Sequence, residues 1–256
     1  MDAKLDLAIR EVVIANRILA NENIVDASGH VSARHPLHSD RFLISWSRSP
    51  EHVTREDIME CALDGTPLHG DARPPYKERF IHGAIYEMRP EVNAVVHAHP
   101  EEVLPFSVTD EPLRALISSA SMLGRRVPVW DIADAFGNDT SLLVENIEQG
   151  RDLARSLGHG NLILMAAHGL AAACPTMIEV VRISVYAARN ARVQMAAMQF
   201  GKKIRFLSEG EVNVRGAGGY FAADSHGIYR AWEHWALRAG CADLLPKRDD
   251  ATMRTL

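Results

Sequence analysis

The chain has 256 residues, 47% hydrophobic and 24% charged, with a net charge of −5. Interspersed charges without a basic stripe exclude a nucleic-acid partner. No apolar run approaches the ~20 residues that cross a bilayer, so no membrane partner is expected either.

The N-terminal Met1-Asp2-Ala3-Lys4-Leu5 lacks a signal-peptide core, and a cytoplasmic location is expected. Leu5 to Ala20 reads as an amphipathic helix, ended by Asn21-Glu22-Asn23. Gly29 to Arg34 and Arg41 to Trp46 are short strands. Thr54-Arg55-Glu56-Asp57 carries a cap residue followed three later by an acid, the start of a short helix. Glu60 to Gly65 is a strand entering a turn. Glu78 to Met88 is helical in pattern and stops at Arg89-Pro90. Asn93 to His99 is a buried strand, and Val127 to Trp130 another. Ser141 to Leu157 is predicted helical, Leu162 to Ala173 a strand or a hairpin pair. Thr176 to Phe200 is a long alanine-rich helix, and a last helix runs from about Ala223 to Gly240. Strands that do not alternate regularly with helices predict a mixed, largely antiparallel sheet covered by helices. No linker divides the chain, so residues 1–256 are expected to form one domain, with its core at about 5–200. Cys61, Cys174 and Cys241 are odd in number and in no CxxC spacing. They read as free thiols of a reducing compartment, and no role is assigned to them.

Four residues carry the chemistry. His97 and His99 lie two apart at the end of an apolar strand, so both imidazoles leave the same face. His168 ends a second apolar run and precedes Gly169. Glu78 opens the helix that stops at Arg89-Pro90. Three neutral imidazoles and a carboxylate suit a borderline divalent ion, and an enzyme keeps one position open for substrate. Hydrogen-bonded histidines lining a polar cleft would leave the same local signature.

The pattern Glu78-x-x-x-His82-x-x-x-Tyr86, Arg89-Pro90, Ala94-Val95-Val96-His97-x-His99 and His168-Gly169-Leu170 resembles the class II aldolase/adducin family over roughly Leu5 to Phe200. The resemblance implies a three-layer α/β/α fold around a central sheet. It also implies a homotetramer with sites at subunit interfaces. One divalent ion per subunit follows, with manganese, zinc and cobalt all suited. By position, His97, His99 and His168 look like the metal ligands and Glu78 like the acid/base residue. An adducin-like, non-catalytic role is disfavoured because all three histidines are present.

The resemblance fails at the sugar-phosphate cradle. Where family aldolases carry Gly-Asn, Ser/Thr-Gly and Ser-Ser pairs, this chain reads Gly29-His30, Ser47-Arg48-Ser49-Pro50 and Tyr76-Lys77-Glu78. A guanidinium such as Arg48 pairs bidentately with a carboxylate, and Lys77 adds a point charge. These segments, with Asp26 to Ser32 and Arg230 to Trp235, resemble the family's 3-hydroxy-2-methylpyridine-4,5-dicarboxylate 4-decarboxylases and related hydroxyaromatic decarboxylases. The implied activity is metal-dependent decarboxylation of a hydroxylated aromatic or pyridine dicarboxylate, with charge delocalised as in an enolate. An aldolase or epimerase acting on a small hydroxy-carbonyl compound is the alternative. On this reading His30 joins Glu78 as catalytic, and Arg48, Ser47, Lys77 and Tyr220 bind substrate. Tyr220 and Arg215 flank Gly216 to Gly219 and could reach a neighbouring subunit's site. His82 reads as a supporting or packing histidine. Trp232 and Trp235, three apart, read as packing residues, and the segment 201–256 is expected to pack on the core or on a neighbouring subunit.

Overall fold

The computed structural model describes residues 2–216 and 226–246. In chain order the strands are β1 (His30–Arg34), β2 (Arg41–Ser45), β3 (Ile58–Ala62), β4 (Ala94–Ala98), β5 (Val129–Trp130), β6 (Leu162–Met165) and β7 (Gly169–Cys174). The helices are α1 (Ala3–Asn21), α2 (Arg79–Met88), α3 (Leu104–Ser107), α4 (Ile132–Phe136), α5 (Ile147–Leu157), α6 (Met177–Met198), α7 (Glu209–Gly216) and α8 (His226–Arg238). The strands form one sheet in the order β3-β2-β1-β4-β7-β6-β5. Every neighbouring pair is antiparallel except β5–β6.

Strand periodicity sorts the sheet's side chains into two cores. Val31, Ala33, Ala94, Val96, Ala98, Leu162, Leu164 and Ala172 face one cluster, with residues of α1, α6 and α8. Phe42, Ile44, Val95, Ile163, Ala171 and Ala173 face the other, with residues of α2 and α5. The result is the expected three-layer α/β/α arrangement. Trp232 and Trp235 lie in the first cluster, so α8 packs on α1 and α6. No helix among the described residues is long and apolar enough to cross a membrane.

Local signals explain most boundaries. The Asp2 carboxylate accepts from the Lys4 amide at the start of α1. Asp57 accepts from the Thr54 amide at 2.8 Å and so closes the expected short turn, Arg55–Asp57. Buried Arg89, just past α2, donates to the Gly158 and Gly160 carbonyls and pairs with Glu91, tying α2 to the loop before β6. A planar fork of donors suits that task better than an ammonium would.

Two expectations are corrected, and one alternative is decided. The predicted helix from Ser141 begins only at Ile147, because Asn146 caps it by accepting from the Gln149 amide and Leu142 has φ +64°. Of the strand or hairpin pair expected over residues 162–173, the chain forms the hairpin, with His168 in the turn between β6 and β7. Helices α3, α4 and α7 were not anticipated; the first two span only 4 and 5 residues, too short for a periodic signal. The beginning proposed for the last helix, near Ala223, lies outside the described residues, as does Tyr220.

Candidate metal centre and active site

Glu78, His97, His99 and His168 converge, each offering one ligand atom, with these atoms all within 4.8 Å of one another. His97 leaves the α2/α5 face of β4 beside Val95, and His99 follows just past the strand. Glu78 is the residue immediately before α2, and it is buried. His168 comes from the β6–β7 turn, behind Ala167 at φ +54°. Gly169 is obligatory there, since an added Cβ would lie 2.3 Å from the Ala98 carbonyl oxygen and 2.9 Å from His99 Cδ2.

The backbone aims these side chains. His97 Nδ1–H donates to the Leu170 carbonyl (3.0 Å) and His168 Nδ1–H to the Leu142 carbonyl (2.8 Å). Glu78 Oε1 accepts from the Val144 amide at 3.0 Å. In both histidines the Nε2 lone pair is therefore left facing the centre. His99 Nε2 lies 2.9 Å from His97 Nε2 and 3.2 Å from His168 Nε2. Glu78 Oε2 lies 3.3 Å from His97 Nε2 and 3.5 Å from His168 Nε2.

This geometry fits a metal. Donors bound at about 2.1 Å in tetrahedral or octahedral arrangement stand roughly 3.0–3.4 Å apart, close to the spacings observed. Two lone pairs fixed toward one point, with a carboxylate beside them, require a cation or a proton between them. The titration behaviour agrees. Burial would raise the Glu78 pKa, but His97 and His168 outweigh it and hold the carboxyl far below its usual range. Burial lowers His168, yet Glu78 outweighs it and the net shift is upward. Burial and the neighbouring His97 and His168 push His99 down to about 4.

Beside the cluster stands His30, paired across the β1–β4 ladder with His97, their ring centroids 5.1 Å apart. Gly29 permits this approach: it sits at φ +91°, and a Cβ there would meet Val25 Cγ1 at 2.7 Å. Tyr76 packs against His30 with centroids 4.5 Å apart, and its hydroxyl donates to the Arg48 carbonyl. Burial holds His82 down to about 3, so it is neutral.

The substrate-binding residues expected from sequence are less central. Arg48 Nε lies 3.1 Å from Asp57 and donates to the His52 carbonyl. Ser47 is exposed, and Lys77 is 76% exposed and 3.9 Å from Glu145. A cavity of about 790 Å³ adjoins His99, and its wall includes Ser49, Asp26, Glu51, Glu101 and Glu102 rather than Ser47 or Arg48. Sequence reasoning gave no role to Ser49 or to the four acids, and it did not reach the Leu142, Val144 and Leu170 backbone groups. Carbonyls and amides carry no side-chain signature, so only the fold could reveal them.

The fold and this cluster together define an α/β protein with a candidate divalent-metal centre at the end of its central sheet. Residues 10–195 match the Class II Aldolase and Adducin N-terminal domain. The chain belongs to that family and is a class II aldolase-like enzyme. It is 30% identical to decarboxylase tropJ of Talaromyces stipitatus, over 92% of this chain and 95% of that protein. It is 25% identical to the 3,4-dihydroxyphthalate decarboxylase of Arthrobacter keyseri, over 90% of this chain and 93% of that protein. The fold is also that of an aldolase II superfamily protein from Pseudomonas syringae (TM-score 0.77, 18% identity, 95% of this chain and 96% of that one).

Proposed function

We propose that this enzyme is a divalent-metal-dependent decarboxylase of a hydroxylated aromatic or pyridine dicarboxylate. The observation that carries the reading is likeness to two decarboxylases over nine-tenths or more of this chain and of both relatives.

In this reading His97, His99 and His168 hold the ion. When bound, a divalent ion would supply Lewis-acid stabilisation of the charge that builds on a substrate oxygen as the carbon–carbon bond breaks. Manganese, zinc and cobalt all suit the donor set. Glu78 is the acid/base residue: the Val144 amide fixes Oε1, leaving Oε2 toward the cluster to hold or move a proton. His30 is the second catalytic group. Arg48 takes the second carboxylate, since its terminal amino groups make no hydrogen bond among the described residues. Ser47, Lys77 and Tyr220 complete the substrate-binding set, and a homotetramer with sites at subunit interfaces belongs to the same reading.

One observation favours a second reading, an aldolase or epimerase on a small hydroxy-carbonyl compound. The acids at the cavity repel a dianion and can accept hydrogen bonds from hydroxyls. A panel of hydroxylated phthalates and pyridine dicarboxylates, followed by CO₂ release, against hydroxy-aldehydes and sugar phosphates, separates the two. Release from none of the aromatic acids would overturn the decarboxylase reading.

A further inference from the structure

Behind His30 lies a line of buried polar side chains that the metal centre does not use. His30 Nδ1 is 2.6 Å from His82 Nε2, His82 Nδ1 is 2.6 Å from Ser32 Oγ, and Ser32 Oγ is 2.8 Å from the Tyr86 hydroxyl. Residues 30 and 32 share one face of β1, and residues 82 and 86 lie one turn apart on α2. All four are buried.

The three contacts are coupled. Each holds one proton, and neutral His82 carries one N–H, so it donates at one ring nitrogen and accepts at the other. Ser32 likewise has one proton for two neighbours. The whole line therefore runs in one of two directions, and the end at Tyr86 decides which. The Val95 backbone amide also reaches the Tyr86 hydroxyl, but it is a donor, so Ser32 Oγ is the one acceptor for the phenolic proton among the described residues. The Arg34 guanidinium above the Tyr86 ring offers donors and no acceptor. If Ser32 donated to Tyr86, the buried phenolic proton would have no acceptor, the costlier fault. Tyr86 therefore donates to Ser32, Ser32 to His82 Nδ1, and His82 Nε2–H to His30 Nδ1. The proton of His30 is left on Nε2, the nitrogen that has no hydrogen bond among the described residues and is not among the buried unpartnered atoms.

We infer that Tyr86, Ser32 and His82 lock His30 as a neutral Nε2–H hydrogen-bond donor toward an anionic oxygen of the substrate, a phenolate or a carboxylate. His30 is then neither a metal ligand nor the base, because its one free lone pair, on Nδ1, is occupied by His82. Giving up the Nε2 proton through the line would end in a buried phenolate, so His30 polarises and the proton transfer falls to Glu78. What His30 contacts rests on the reading of the site given above; its tautomer does not.

Nitrogen NMR of ¹⁵N-histidine-labelled, zinc-loaded protein reads the tautomer directly, with His30→Gln and His82→Gln assigning the signals. His30 and His82 are each expected to carry a proton on Nε2 and a bare Nδ1. In Ser32→Ala and Tyr86→Phe, both tautomers of His30 should appear. kcat on a CO₂-releasing substrate should fall about tenfold or more, with KM and zinc content unchanged. A proton on His30 Nδ1 in the unmutated protein would overturn the inference, as would both variants leaving tautomer and kcat untouched. If no aromatic acid releases CO₂, the decarboxylase reading fails while the nitrogen shifts still decide the tautomer.

Discussion

The Leu142 carbonyl accepts the Nδ1 proton of His168 at 2.8 Å, and Leu142 holds φ +64° to offer it. Two residues later the Val144 amide donates to Glu78. One irregular segment ahead of α5 thus aims a candidate ligand and the candidate acid/base together. Val144→Pro removes that amide, whereas Val144→Ala keeps it. Turnover of a CO₂-releasing substrate should be about tenfold lower in the proline variant than in the alanine variant, at equal zinc content. Equal turnover would mean that the amide does not position Glu78.

Purified protein should contain about one divalent ion per chain, and His97→Ala should lose it together with activity. Elemental analysis decides this. An active, metal-free, chelator-insensitive protein would sink every enzymatic reading made from the cluster.

Glu78→Gln is expected to keep the ion while turnover falls by about 10² or more, the usual loss when a proton-transfer group is removed. Metal content and kcat measured on one preparation separate the two effects. Full activity would assign the proton to another group.

Gly169→Ala places a methyl against the Ala98 carbonyl and the His99 ring. Urea unfolding should show a loss of about 2 kcal/mol, typical of overpacking in a filled core. Zinc binding should weaken as well, because His99 must shift; a variant as stable and as tight as the parent would contradict the packing.

Glu11 on α1 supplies a pH dependence remote from the centre. Burial lifts its carboxyl from 4.5 to about 7, against the pull of Arg10. The folded state then binds more protons than the unfolded one between these values, so stability falls as pH rises from about 4.5 to about 7 and is level above. Glu11→Gln should abolish that slope and stabilise the protein at pH 8 by about 1 kcal/mol, allowing for solvent screening of a half-buried group. Chemical denaturation across this range measures it, and a slope unchanged in the variant would show that Glu11 is not its source.

The sequence by itself determined much of the layer architecture and the identity of the cluster. A continuous apolar run such as Ala94 to Ala98 declares a strand buried on both faces and the long stripe of α6 declares its buried side, because burial of apolar surface dominates folding. His97 and His99 were bound to share a face once Ala94 to Ala98 was a strand. What the tertiary structure decided is everything that depends on backbone groups and on through-space neighbours. Residues 141–146 have helical composition, yet they are held as a loop by the Asn146 cap and by the hydrogen bonds to His168 and Glu78. Arg48 reads as a free cation in sequence but lies against Asp57, and the acids around His99 come from three separate segments. The direction of the His30–His82–Ser32–Tyr86 line is likewise set by where one phenolic proton finds an acceptor. Residue type fixes which groups can donate or accept, whereas only the packed chain fixes which partner lies within reach.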